Sequence, residues 1–444
     1  MVRSLAVRLF SMLLVSLAIV AAQIETVCAE HLFLANDIYS PNIYPPAPDT
    51  ETDTAGKREQ FFRNAREACQ RGDVGAALRI ATKIISVAPD DAGARRVLGY
   101  RRIGDQWAGS YAARRLEQGE DWHPQFGWIE AGDLPRYEAG ERPLGKRWIP
   151  ADEDARRHAA IDDGWQIRTD HFRVITNHSR EEATRLASQL ESLYQAWQQL
   201  FGGFYLQPSA LLKRFDGKEI SGYRSKPFEV VYYRTRNEYN AALRRQQPRI
   251  EMTLGIYFDT TRKTHFFAGE QQDPGTIYHE AVHQFFQESG RVARNVGAVS
   301  NAWLIEGVAC YFESLVQPDH QDGRNFFTIG TPTAGRLPAA RHRRLVDDFY
   351  VPLAELSALG ITDFQRRADL PRLYSQSAGL VTFLMHHQDG VYRPALVKLL
   401  QLLYAGRDQA STLETLTGRS FAELDREYRR YLEELSVATA AASP

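Results

Sequence analysis

Apolar residues recur along most of this chain at the spacing of a helix face, and in one central block they alternate instead. Phe61, Phe62, Ala65, Ala68 and Cys69 line one face, and Gly72-Asp73 supplies a turn. Ala77, Leu78, Ile80, Ala81, Ile84 and Ile85 line a second face that Pro89-Asp90-Asp91 ends. This predicts a helical hairpin over 56–103. Strand-like stretches follow in Trp165 to Thr176, broken near Asp170, then in Phe228 to Tyr233, Leu254 to Phe258 and Thr264 to Phe267. Between the first two, Ser179-Arg180-Glu181-Glu182 is a capping box. The helix it opens carries Leu186, Leu190, Leu193, Tyr194, Trp197 and Leu200. Helices dominate after Asp273, the last with Phe421, Leu424, Tyr428, Leu432 and Leu435 on its apolar face. Strands early and helices late make 161–437 an α+β domain.

The flanking segments read differently. Residues 1–29 read as a signal peptide: Arg3 and Arg8 are basic, Leu9 to Ala22 is an apolar run too short for a comfortable membrane span, and Val27-Cys28-Ala29 precedes cleavage after Ala29, without which the segment would stay as a signal anchor. The chain is therefore expected to be exported, with no membrane span in its mature form. Residues 30–55, with Pro41, Pro45, Pro46 and Pro48, predict a disordered linker, and 438–444 a flexible tail. Over 104–160, Trp107, Trp128 and Trp148 fall at intervals of 21 and 20 residues, each beside a glycine-bearing turn sequence. Either this is a run of repeated strand-and-turn units, or three tryptophans pack an irregular connection.

Composition narrows the function classes. At 43% hydrophobic and 25% charged, the chain is an ordinary globular protein, and a formal net charge of −1 gives no footprint for nucleic acid. Export removes Cys28 and leaves Cys69 and Cys310, which either pair or stay as two buried thiols.

Chemistry concentrates in His279-Glu280-Ala281-Val282-His283. Histidines four apart point the same way on a helix and can share one metal ion, while the glutamate between them sits beside the metal, where a general base is needed. Asp273-Pro274 reads as N-cap and first helical residue, and Ile277, Ala281, Val282, Phe285 and Phe286 keep helical spacing through the motif. After Gly290 and Gly297, Ser300 or Asn301 can cap a second helix from about Ala302 to Leu315. That turn can bring Glu306 back as a third ligand, leaving a fourth position for water, as a catalytic zinc site requires. Glu313, two turns on, can support a ligand histidine. Glu288 points away, and Cys310, one turn past Glu306, reads as a small packing residue. His265 is expected to face solvent from an edge-like strand, and His386 and His387 to complement a helix C-terminus.

The run Trp303-Leu304-Ile305-Glu306-Gly307-Val308-Ala309 resembles the third-ligand helix of gluzincin metallopeptidases. Over about residues 165–435 the chain also resembles the peptidase-MA-like families of secreted bacterial proteins. The resemblance implies a zincin-like domain with a sheet-bearing upper lobe, a metal helix beneath it and a helical lower lobe. It also implies one zinc ion on His279, His283 and Glu306, with Glu280 as base. No Gly-x-Met-Glu-Asn run is present, so the expected reaction is cleavage within peptide chains rather than from their amino ends. Gluzincin aminopeptidases place a tyrosine at a comparable distance beyond the third ligand; here Tyr374, 68 residues after Glu306, occupies that place in a Tyr-x-x-Ser run. Its phenol would donate to the oxyanion; otherwise it packs a helix start.

The leading expectation is thus an exported zinc metallopeptidase acting on a peptide or protein substrate. Its rivals are a catalytically weak zincin-like binding protein that uses the helical and Trp-rich regions for partner contact, and a zinc hydrolase of a non-peptide bond. The helical hairpin is similar to a single tetratricopeptide unit, and one unit cannot stand as a solenoid. It is expected to pack on its neighbour, with protein contact as its other use.

Overall fold

The computed structural model describes residues 43–44, 54–218, 226–269, 272–316 and 327–441. The signal peptide lies outside them, as does most of the linker. Within that linker β1 (Ile43–Tyr44) nonetheless pairs antiparallel with Trp107 and Ala108. Among the described residues no helix is long and apolar enough to cross a membrane.

The chain is mixed α+β with a helical N-terminal region. α1 (Thr54–Gln70) and α2 (Val74–Val87) meet at Gly72-Asp73, where the Asp73 carboxylate accepts from the Ala76 amide at 2.8 Å. α3 (Ala92–Leu98) starts the same way, on Asp91. Three hairpins follow, each trailed by a short helix. They are β2 (Arg101–Ile103) with β3 (Gln106–Ala108) and α4 (Ser110–Glu117), β4 (Glu120–His123) with β5 (Gly127–Glu130) and α5 (Leu134–Glu138), and β6 (Glu141–Leu144) with β7 (Arg147–Pro150) and α6 (Ala151–Arg157). The tryptophan period therefore marks a repeated strand–turn–strand–helix unit. In the first and third units the two-residue turn opens on a glycine at positive φ, 56° at Gly104 and 62° at Gly145, the backbone such tight turns demand. The three rings do different work: Trp107 Nε1 donates to Asp90, Trp128 meets Trp122 edge-on across its hairpin, and Trp148 packs on Tyr137.

A five-stranded sheet comes next, ordered β11-β12-β10-β9-β8. β8 (Trp165–Arg168) and β9 (Phe172–Thr176) are antiparallel neighbours. The long α7 (Arg180–Tyr205) and α8 (Pro208–Phe215) then cross over, so β10 (Phe228–Tyr233) returns parallel to β9. α9 (Arg236–Leu243) makes a second excursion before β11 (Ile256–Phe258) and β12 (Lys263–Phe267). β12 runs parallel to β10, and β11 lies antiparallel outside it as the edge strand. This corrects the reading of His265. β11 covers β12, so His265 is buried beside the Tyr233 hydroxyl, and burial depresses its pKa to about 3.

α10 (Pro274–Glu288) lies against this sheet. Phe285 anchors it, with its ring 5.0–5.8 Å from those of Phe228, Trp197, Tyr194 and Phe172. The rest is helical: α11 (Ala302–Phe312), α12 (Leu337–Leu345), α13 (Leu353–Ala358), α14 (Ile361–Arg366), α15 (Leu370–His386), α16 (Arg393–Tyr404), α17 (Thr412–Thr417) and α18 (Phe421–Ala441). α18 runs past the predicted start of the tail, through a segment rich in alanine, the best helix former. The N-terminal hairpin is part of the same core: Leu78 and Val74 of α2 sit against Gly202 of α7, and Arg79 donates to the Gln199 carbonyl at 3.2 Å.

Candidate metal centre

α10 begins at the expected cap, where Asp273 accepts from both the amide and the hydroxyl of Thr276. The helix is pinned at two further points. Gln284 accepts from the Thr264 hydroxyl at 2.8 Å, and the Tyr257 amide of the edge strand donates to Glu280 Oε2 at 3.0 Å. Glu280 is thus held at the sheet edge by a backbone donor that no spacing in the sequence reveals.

α11 begins at Ala302 with Asn301 as its N-cap residue, as expected, but it is held without a side-chain cap bond. Asn301 sits at its N-terminus at φ 53°, and neither it nor Ser300 caps with its side chain. Both side chains instead donate to Asp408, at 2.9 and 2.7 Å, while the Asn301 and Ala302 amides donate to the carbonyls of Ser357 and Leu359. The helix ends at Phe312, three residues early, and Glu313 lies at its C-cap. Gly307 gives α11 its close neighbour: a Cβ there would lie 2.9 Å from the Ser377 carbonyl oxygen of α15.

These constraints gather His279, His283 and Glu306 into one buried group. His279 Nε2 lies 3.1 Å from His283 Nε2 and 3.3 Å from Glu306 Oε2, and His283 Nε2 lies 3.5 Å from the same oxygen. Bonds of 2.0–2.1 Å in a tetrahedral site require ligand–ligand edges of about 3.3–3.4 Å. The triangle fits one small cation. Glu306 is fully buried, yet among the described residues neither carboxylate oxygen has a hydrogen-bond partner, although two ring nitrogens stand close. A buried carboxylate left in that condition needs a positive charge. The residues can therefore hold a metal ion.

A second layer orients the first. Glu313 Oε1 lies 2.8 Å from His279 Nδ1, which places the proton on Nδ1 and turns the Nε2 lone pair towards the triangle. Arg336 grips the same carboxylate with two bonds of 2.7 and 2.9 Å. Burial alone would raise the Glu313 pKa, but Arg336 and His279 outweigh it and bring it down to about 2. Cys310 Sγ stands 3.9 Å from His279 Nδ1, on the side of the ring away from the triangle, and burial raises its pKa. Cys69 and Cys310 are both free thiols. Glu288 is tied to Tyr257, Gln284 and Arg262 and takes no part in the group. His386 pairs with the Tyr311 hydroxyl at 2.7 Å.

Tyr374 is buried in the second turn of α15. Among the described residues its hydroxyl has no hydrogen-bond partner. Burial lifts its pKa well above the usual phenol value, and the charges of Glu306, Cys310 and Glu280 add to the rise, so it stays a neutral donor beside the carboxylates.

Residues 273–401 match the model of a family described as a protein of unknown function, DUF1570. The match covers less than a third of the chain but opens on the N-cap of α10 and includes both ligand helices and Tyr374. The sequence matches no curated protein.

Proposed function

We propose that this protein is a zinc-dependent peptidase of the gluzincin type that hydrolyses peptide bonds within chains outside the cytoplasm. The observation that carries the reading is the buried triangle of two imidazole nitrogens and one carboxylate oxygen, with the Glu280 carboxylate and the Tyr374 hydroxyl in the same interior. His279, His283 and Glu306 would hold the ion. When bound, zinc supplies a Lewis acid that polarises the scissile carbonyl and acidifies a water. Glu280 takes a proton from the attacking water as its oxygen bonds to the carbonyl carbon, then passes that proton to the departing nitrogen as the C–N bond breaks. The Tyr374 O–H, which has no hydrogen-bond partner among the described residues, donates to the oxygen on which negative charge develops. Glu313 keeps His279 in one tautomer, and Arg336 keeps Glu313 ionised.

The test pairs metal analysis with peptide digestion. Wild type should carry close to one zinc per chain and His283→Ala close to none. Glu280→Gln should keep the zinc and lose hydrolysis of a broad peptide library, because glutamine is nearly isosteric but cannot accept the proton. Equal zinc in wild type and His283→Ala would remove the ligand assignment, and wild-type cleavage by Glu280→Gln would remove the base.

A further inference from the structure

A second concave site lies among the N-terminal elements, between α3, the β2–β3 hairpin, the start of α4 and the end of α8. Its volume is about 570 Å³, and among the described residues its lining carries Arg96, Arg101, Arg102, Arg114, Arg214 and Lys218 with no carboxylate. Two of these six cations have counter-ions outside the lining. Glu117 lies 3.1 Å from Arg101, and Asp105 lies 3.7 Å from Arg102. Among the described residues the other four have no carboxylate within ion-pair distance. Arg214 is the telling one. Its guanidinium is half-buried and donates to the Val97 carbonyl at 3.1 Å, while its own carbonyl accepts from Arg96 Nε at 3.2 Å. Burial pulls its pKa down, opposed by Tyr205 and Tyr194. A chain with a formal net charge of −1 has no shortage of carboxylates, so gathering six cations of which, among the described residues, four lack one leaves room for an anion.

The residue types narrow the ligand. Guanidinium forks match oxyanions by paired hydrogen bonds, and five of the six cations are arginines. The two aromatic rings of the lining are engaged already: Trp107 is buried with its Nε1 on Asp90, and Arg95 lies over the Tyr100 ring. Neither ring is presented for stacking a base, which sets nucleic acid aside. The volume falls in the range of small-molecule sites, about 300–1,000 Å³. We propose that this groove binds a small ligand bearing two or more clustered phosphate or sulfate groups.

Titration calorimetry at low salt tests this with tripolyphosphate and sucrose octasulfate as probes and hexaglutamate as the comparison. At least one probe should bind, with affinity falling about tenfold or more as salt is raised. Binding of only one probe supports the proposal and identifies phosphate or sulfate as the source. Arg114 and Lys218 are exposed, so R114Q/K218Q should keep the wild-type melting temperature and weaken binding at least tenfold. His283→Ala should bind as wild type does, which separates this groove from chelation at the metal centre. Absence of binding by both probes, undiminished binding by R114Q/K218Q, or tighter binding of hexaglutamate would each overturn the proposal.

Discussion

Replacing Glu313 by Gln should weaken zinc binding without emptying the site. The His279–Glu313 bond at 2.8 Å is charge-assisted, and such bonds contribute about 1.5–3 kcal/mol. Outer-shell partners of metal-bound histidines typically change affinity by about 10–100-fold, which at about 1.4 kcal/mol per decade is about 1.4–2.7 kcal/mol. The two routes agree, so the expected loss is one to two decades in Kd. A second effect must be separated from it. Arg336 is left without its carboxylate, and breaking a buried pair costs about 3–5 kcal/mol; its side chain is 29% exposed, so water recovers part of that. Urea unfolding of the metal-free proteins measures this part, while zinc affinity comes from competition with a chromophoric chelator. Arg336→Gln provides the contrast, because it keeps the His279–Glu313 bond and should lose stability with a smaller loss of affinity. If Glu313→Gln binds zinc within threefold of wild type while its metal-free form is destabilised, the carboxylate supports the fold and does not orient the ligand.

Two further substitutions test the second half of the site. Tyr374→Phe should lower kcat by about a hundredfold or more with little change in KM, as loss of a transition-state donor does. Removing a buried hydroxyl that has no partner among the described residues should also leave the melting temperature unchanged or raised, and wild-type turnover in this variant would return Tyr374 to a packing role. Gly307→Ala forces a Cβ to 2.9 Å from the Ser377 carbonyl oxygen and 3.0 Å from Val381 Cγ2. Overpacking of about 1–3 kcal/mol is offset by about 1 kcal/mol of helix propensity, so urea unfolding should show a net loss of up to about 2 kcal/mol. A stabilised variant would mean that α11 and α15 do not pack this tightly.

What the sequence made legible was local, and what it hid was carried by distant partners. The spacing of His279 and His283 and the cap at Asp273 are read within one helix, where neighbours in sequence are neighbours in space. Asn301 is the N-cap residue of α11 as its place in the sequence implies, but no side-chain cap bond forms because the Ser300 and Asn301 side chains are spent on Asp408, more than a hundred residues away. His265 was misread because alternation along a strand does not show which strand lies beside it, and β11 pairs on its outer side. The bonds from Tyr257 to Glu280 and from Arg336 to Glu313 left no motif at all.

The Glu-Gly pair of α11 joins the two kinds of information. Glu306 has meaning from sequence alone, as the third donor after two histidines. Gly307 acquires its meaning only from α15, whose backbone approaches so closely that a Cβ would lie 2.9 Å from the Ser377 carbonyl oxygen. That approach brings in the helix that carries the buried Tyr374 hydroxyl. The adjacent residues therefore serve one end: the first faces the cation site, and the second admits the helix that delivers the proposed oxyanion donor. A change at Gly307 that spared both histidines and Glu306 should then reduce turnover more than zinc binding, since it displaces Tyr374 while leaving the triangle's own side chains in place.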